Sequence, residues 1–209
     1  MWRQDFSFPE FNHVDPRAVN ASAQSQPPRT VSFNHEPLIL VDEDGRVTGH
    51  AEKQVVHQGS GLLHLAFSVF LRDEHNRIML HKRSRQKPLW PGFWTNSCCS
   101  HPRRNETLEA ATARRLDEEL GISCELRYLY TFNYRAHYLD VGSEYERCSV
   151  YLGSISSDVI FDINPTEIEI WDWFDVEAIE SMLVEHPDTL SPWFKLEWPR
   201  VKTALLGQF

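Results

Sequence analysis

The chain has 209 residues, with 21 Lys and Arg against 30 Asp and Glu, and a formal net charge of −9 at pH 7. So acidic a chain lacks the basic footprint that binding to nucleic acid or an anionic membrane requires, and any anionic ligand must be held by a local cluster of cations. A hydrophobic share of 41% with 12% aromatic residues excludes a disordered chain, and one domain of this length buries roughly 70% of its unfolded surface.

Residues 1 to 32 are mixed and polar, and Ser22 to Pro28 is poor material for a core element. They read as a flexible N-terminal extension ahead of a single domain over 33–209. The first residues contain an early acid and no apolar h-region, and nowhere do about 18 uncharged apolar residues run together. A soluble, cytoplasmic, monomeric protein is expected. Cys98, Cys99, Cys124 and Cys148 form no C-x-x-C pair, and two are adjacent, so neither a disulfide framework nor a zinc ribbon is signalled.

Leu38 to Val41 and Val47, around Asp44-Gly45, predict a short strand pair. Leu62 to Leu71 and Ile78 to Lys82, with the polar turn Arg72 to Arg77 between them, predict a central hairpin. The stretch from Pro88 to Pro102 is dense in Trp, Pro, Gly, Asn, Ser and Cys and reads as a structured loop. Asn105 or Thr107 can cap a helix to Leu120, with Gly121 placed for a left-handed C-terminus. Its inward side carries Leu108, Ala111, Arg115, Leu116 and Glu119. Cys124–Phe132, Glu144–Ile155 and Ile168–Phe174 read as strands, and Asp175 can cap a helix to about Val184. After the turn at Ser191-Pro192-Trp193, a last helix is expected to about Leu206. Helices and strands interleave within one composition regime, an α/β (α+β) pattern.

Glu144 and Glu146 share one face if their segment is extended, because a strand has a two-residue period. Taken alone they make a solvated acidic edge. Other ligand types lie at short spacings: His57 and His64 flank Gly59-Ser-Gly61, and Cys99-Ser-His101 sets a thiol and an imidazole on one side. Imidazoles with carboxylates suit zinc, manganese or iron, although with 10 His in the chain such pairs also arise by chance.

The helical segment carries Glu106 and then Arg114-Arg-Leu-Asp-Glu-Glu-Leu-Gly-Ile122. This resembles the Nudix box, G-x5-E-x7-R-E-U-x-E-E-x-G-U, where U is apolar. Ser100 stands in the place of the first Gly, and Arg115 in the place of the first Glu of R-E-U-x-E-E. The plain alternative is an amphipathic helix with Arg114 and Glu118 paired at i, i+4. Nudix hydrolases gather carboxylates so that divalent ions activate water against a diphosphate. A guanidinium among them removes metal affinity and adds a phosphate clamp, so that a diphosphate is held rather than cut.

A longer series of motifs is similar to the type I isopentenyl-diphosphate isomerases. It comprises Leu63-His-Leu-Ala-Phe-Ser68, Lys82-Arg83 with Lys87, Trp90-Pro-Gly-Phe-Trp-Thr-Asn-Ser97, Cys99-x-His-Pro102, the degenerate Nudix helix, Tyr134-Arg-Ala136, Glu144-x-Glu146 and Ser191-Pro-Trp193. The resemblance spans about Leu38 to Trp193. It implies a Nudix-like α/β/α sandwich with a mixed central sheet, and conversion of isopentenyl to dimethylallyl diphosphate through a tertiary carbocation. By the same resemblance Cys99 and Glu146 lie on opposite faces of the substrate and exchange protons with it, Tyr134 tunes Glu146, and Trp193 faces the cation. His57, His64, His101, Glu144 and Glu146 would bind one transition metal, Mn2+ or Zn2+. Glu119 would help hold Mg2+ on the diphosphate, and Lys53, Arg83, Lys87 and Arg115 would contact phosphate oxygens. Two rival readings share the fold: a Nudix diphosphohydrolase on a nucleotide or prenyl diphosphate, and a non-catalytic domain that binds prenyl diphosphates.

Overall fold

A computed structural model describes residues 29–207. Nine strands join in one sheet among the described residues: β1 (Pro37–Val41), β2 (Val47–Glu52), β3 (His64–Arg72), β4 (Ile78–Arg83), β5 (Trp94–Thr95), β6 (Cys98–Ser100), β7 (Leu126–Tyr138), β8 (Gly142–Ser154) and β9 (Ile168–Phe174). Four helices accompany them: α1 (Lys53–Val56), α2 (Leu108–Leu120), α3 (Val176–Glu185) and α4 (Pro192–Leu205). The sheet is mixed. β3 and β8 run parallel with His64 opposite Glu146, and the other pairings between strands are antiparallel.

The alternation along β3 explains the layering. Phe67, Val69 and Leu71 enter one core with Ala111, Leu116 and Leu120 of α2. Ala66 and Phe70 enter a second core with Ile179 of α3 and Phe194, Trp198 and Val201 of α4. Each fully buried Val, Leu, Ile or Phe among them contributes roughly 1.5–3 kcal/mol, and the two cores give the expected α/β/α sandwich. Helix α2 starts where the sequence predicts it: Thr107 Oγ1 accepts from Ala110 N at 3.2 Å, and Gly121 closes it at φ 66°.

Three expectations are corrected. The central hairpin is a hairpin only at its turn, because β3 and β4 pair just at Leu71–Met79 and Arg72–Ile78, while β4 pairs with β9 from Ile78 to Arg83 and with β5 at His81 and Lys82. The loop from Pro88 to Pro102 contains β5 and β6; β6 pairs with β3 and sets Cys99 opposite Ser68. The turn at Ser191 to Trp193 is instead the first turn of α4, with Pro192 at its start, where a missing N–H costs nothing. Of the extension expected over residues 1 to 32, residues 29–32 lie against the domain: Arg29 O accepts from Asn164 Nδ2 at 2.7 Å, and Val31 is buried. The expectation for residues 1–28 falls outside the described residues.

Candidate active site

A cavity of about 480 Å³ opens at the start of β3 and β8. Its walls come from the short strand β6 (Cys99, Ser100), from β7 (Tyr134), from β8 (Glu144, Glu146) and from α4 (Trp193). The period of β8 turns Glu144 and Glu146 to one side, and the parallel register with β3 sets Glu146 beside His64.

The two carboxylates meet three imidazoles. Ligand atoms of His57, His64, His101, Glu144 and Glu146 all lie within 4.8 Å of one another. His57 Nδ1 contacts Lys53 O at 2.7 Å, and His64 Nδ1 contacts Leu62 O at 2.7 Å. In each neutral ring Nδ1 must therefore carry the proton, which leaves the Nε2 lone pair facing the cluster. While the His57 ring is neutral, its Nε2 meets Glu144 Oε2 at 2.7 Å as one acceptor against another; a proton on that nitrogen, which burial opposes but Glu144 favours, or a cation in its place relieves the clash. Both atoms are buried without a hydrogen-bond partner, as are His64 Nε2 and His101 Nδ1. A cation resolves this crowd of lone pairs, and the N/O donor set fits a divalent ion.

Electrostatics divides the two acids. Burial works against charge on Glu144, but His57 beside it holds its carboxyl down at about 2. Burial first and the Glu144 charge second push Glu146 well above the carboxylate range. Burial lowers His64 to about 4 and takes His101 well below the usual imidazole value, so both rings are neutral and ready to ligate. Glu146 also divides its oxygens. Oε1 lies 3.0 Å from His101 Nε2, while Oε2 accepts a 2.8 Å hydrogen bond from the Tyr134 hydroxyl.

Burial pushes the Cys99 thiol up to about 12, opposed chiefly by Arg83, whose Nη1 lies 3.8 Å from the sulfur. Arg83 also donates to Leu89 O and Trp90 O at 3.0 and 3.2 Å, so it staples the loop that carries Lys87. Its guanidinium carbon sits 5.1 Å from the Trp193 ring centroid. Trp193 is fixed by donating from Nε1 to Thr95 Oγ1 at 2.8 Å and Asn96 Oδ1 at 3.1 Å.

Lys53, Arg83 and Lys87 line the cavity, whereas Arg115 and Glu119 stand behind its wall. Arg115 uses its whole fork on protein partners: Glu119, Glu118, Glu167 and the carbonyl of Val31. A direct contact with phosphate therefore requires one of these to yield. Sequence reasoning missed Glu167, a buried lining residue that bridges Lys87 at 2.5 Å and Arg115 at 3.0 Å. Burial opposes its charge, but Lys87 and then Arg115 hold it at about 2. The acid stands just before β9 in an alternating segment, a pattern it shares with solvated strand faces. It also missed Glu197, buried on α4 one turn after Trp193, with Oε1 3.6 Å from Cys148 Sγ.

Residues 62–194 match the NUDIX domain family model. Isopentenyl-diphosphate Delta-isomerase 1 of Photorhabdus laumondii is 37% identical over 165 residues, covering 78% of this chain and 93% of that one. The isopentenyl-diphosphate Delta-isomerase of Leifsonia xyli is 40% identical over 175 residues, covering 81% and 92%. Among solved structures, the Deinococcus radiodurans protein DR0079 superposes with a TM-score of 0.63 at 22% identity, over 77% of this chain and 96% of that one. A MutT protein from Methanosarcina mazei gives 0.55 at 19% identity, over 68% and 94%. At these identities the structural likeness speaks for the fold alone.

Proposed function

The chain belongs to the isopentenyl-diphosphate Delta-isomerase family within the Nudix superfamily, and from that premise we infer a reaction and a role for each cavity residue. The protein is an isomerase that converts isopentenyl diphosphate to dimethylallyl diphosphate. The observation that carries the assignment of roles is the division of Glu146, with one oxygen toward the imidazoles and the other on Tyr134, in a wall shared with Cys99 and Trp193.

The reaction is a 1,3-proton shift. An unactivated alkene is a very weak base, so a strong donor must be held close to it and the tertiary cation must be stabilised. Burial and then the Glu144 charge disfavour charge on Glu146 and so favour its protonated form. It delivers that proton to the terminal alkene carbon, with the Tyr134 hydroxyl stabilising the carboxylate left behind. To take the allylic proton Cys99 must first lose its own, which burial opposes; Arg83, 3.8 Å from the sulfur, is the cation that favours the thiolate. The roles exchange in the reverse direction. The Trp193 face stabilises the cation between the two steps by up to about 2 kcal/mol when desolvated.

His57, His64, His101, Glu144 and Glu146 would hold a divalent ion, Mn2+ or Zn2+, whose charge orients Glu146 and tunes its acidity. Glu119 would help hold Mg2+ for the diphosphate once its carboxylate is freed from Arg115, with Lys53, Arg83, Lys87 and Arg115 as the cationic partners of the phosphates. Arg115 among the Nudix carboxylates favours holding the diphosphate over hydrolysing it. Purified protein given Mg2+ and isopentenyl diphosphate in D2O is expected to yield deuterated dimethylallyl diphosphate without releasing phosphate. Phosphate release would favour the hydrolase reading, and no product from folded, metal-loaded protein would favour mere binding.

A further inference from the structure

Residues 29–34 cross the cationic end of the cavity as a strap, held in part by Arg115, one of the cations assigned to the diphosphate in the reading above, on which this inference rests. Val31 O accepts from Arg115 Nη1 and from Arg103 Nη2, each at 3.2 Å. Arg29 O is held by Asn164 at 2.7 Å, and Asn34 O accepts from Gln54 N at 2.8 Å, beside Lys53. Between these anchors, Thr30, Ser32 and Asn34 face the cavity.

Ser32 is distinguished by its partner. Its Oγ accepts from Lys53 Nζ at 2.5 Å, and Lys53 lines the same cavity. A hydroxyl has one proton to donate and lone pairs to accept with. Once the lone pair of Ser32 is taken by an ammonium, its proton remains to be donated, and polarisation by the cation makes it a stronger donor to an anion. Lys53 also carries a cost that an anion would remove. Arg83 and Lys87 line the same cavity, so cations crowd this end of it. Glu36 answers only at 3.7 Å.

We propose that Ser32, carried on the strap of residues 29–34, is a direct diphosphate ligand that donates its hydroxyl proton to a phosphate oxygen while holding Lys53 in place. The strap thereby becomes part of the substrate site, which would otherwise end at α1.

The test compares the full chain with Ser32→Ala and Ser32→Thr, measuring both turnover of isopentenyl diphosphate and binding of inorganic diphosphate by calorimetry, with and without Mg2+. One hydrogen bond to a charged group is lost in Ser32→Ala, so Kd for diphosphate and KM should both rise about tenfold, more than kcat falls. Ser32→Thr keeps the hydroxyl and should restore most of the affinity. Values of Kd within twofold across the three proteins would overturn the proposal, as would a loss confined to kcat, or a Ser32→Thr variant as weak as Ser32→Ala. If the unsubstituted protein bound diphosphate but made no dimethylallyl diphosphate, the isomerase reading would fall. The proposal would then be decided by the calorimetry alone.

Discussion

The proposed mechanism gives Glu146 two tasks, proton transfer and metal binding, and substitution can separate them. Tyr134→Phe removes only the 2.8 Å hydrogen bond to Oε2, and the ring can keep its stacking on Phe132 at 5.4 Å. The metal cluster does not include Tyr134, so bound metal should stay at the native amount while kcat falls by about 10²-fold, the lower range for a positioned proton-transfer group. Glu146→Gln removes both functions, so metal content and turnover should fall together. Elemental analysis alongside the D2O assay checks both, and loss of metal from Tyr134→Phe would contradict the division of oxygens. At this scale the sequence was readable where residue types were rare and clustered, as with the imidazoles and Glu144-x-Glu146. Glu167 and Glu197 were not readable, because nothing in a sequence separates a buried acid from a solvated one until the packing partner is known. Arg115 was readable as a cation in place of a carboxylate, but its use of every donor on protein partners depends on β9 and residues 29–31 arriving from far along the chain.

The elements differ in how local their causes are. Helix α2 was legible almost residue by residue, since its cap, apolar face and terminal glycine all act within a few positions. Strands β5 and β6 were hidden, because two or three residues cannot display a period and β6 exists only by pairing with β3. The long strands β7 and β8 were seen in part, and the segment joining them at the site was not. At that junction Gly142 begins β8, and a Cβ placed there would meet the carbonyl oxygen of His57 at 2.5 Å. Ser143 N donates to the same carbonyl at 2.9 Å, so this hairpin fixes the height of His57, one of the proposed metal ligands. Gly142→Ala must therefore displace either the His57 carbonyl or the start of β8, and so change the spacing of His57 and Glu144. The expected outcome is weaker metal binding and a loss of about 1–3 kcal/mol in stability. A competition titration with a chromogenic chelator and a denaturant melt would measure these, and native metal affinity would show that the hairpin does not position His57.

For the whole molecule, the sandwich has an unequal pair of cores. The core under α2 is closed by the ion cluster of Arg115, Glu119 and Glu167, whereas the core under α4 contains Glu197 with Oε2 unpartnered. Burial pushes the Glu197 carboxyl up to about 8, against hydrogen bonding from Ser68 and Cys148. The folded protein thus keeps a proton on Glu197 across a range in which the unfolded chain has released it. With the folded pKa above the unfolded one, the contribution of this group is most favourable below about 4.5 and is lost as pH rises toward 8. The slope is at most about 1.4 kcal/mol per pH unit, and relaxation of the core or water entry would reduce it. Glu197→Gln keeps the shape and removes the titration. Unfolding free energies from urea melts at pH 5.5, 6.5, 7.5 and 8.5 should show the variant gaining on the native chain as pH rises. The difference between the two proteins isolates Glu197, because the histidines and remaining acids titrate in both. Parallel stability curves would mean that Glu197 is solvated or paired in solution, and that the core beneath Trp193 is not dry.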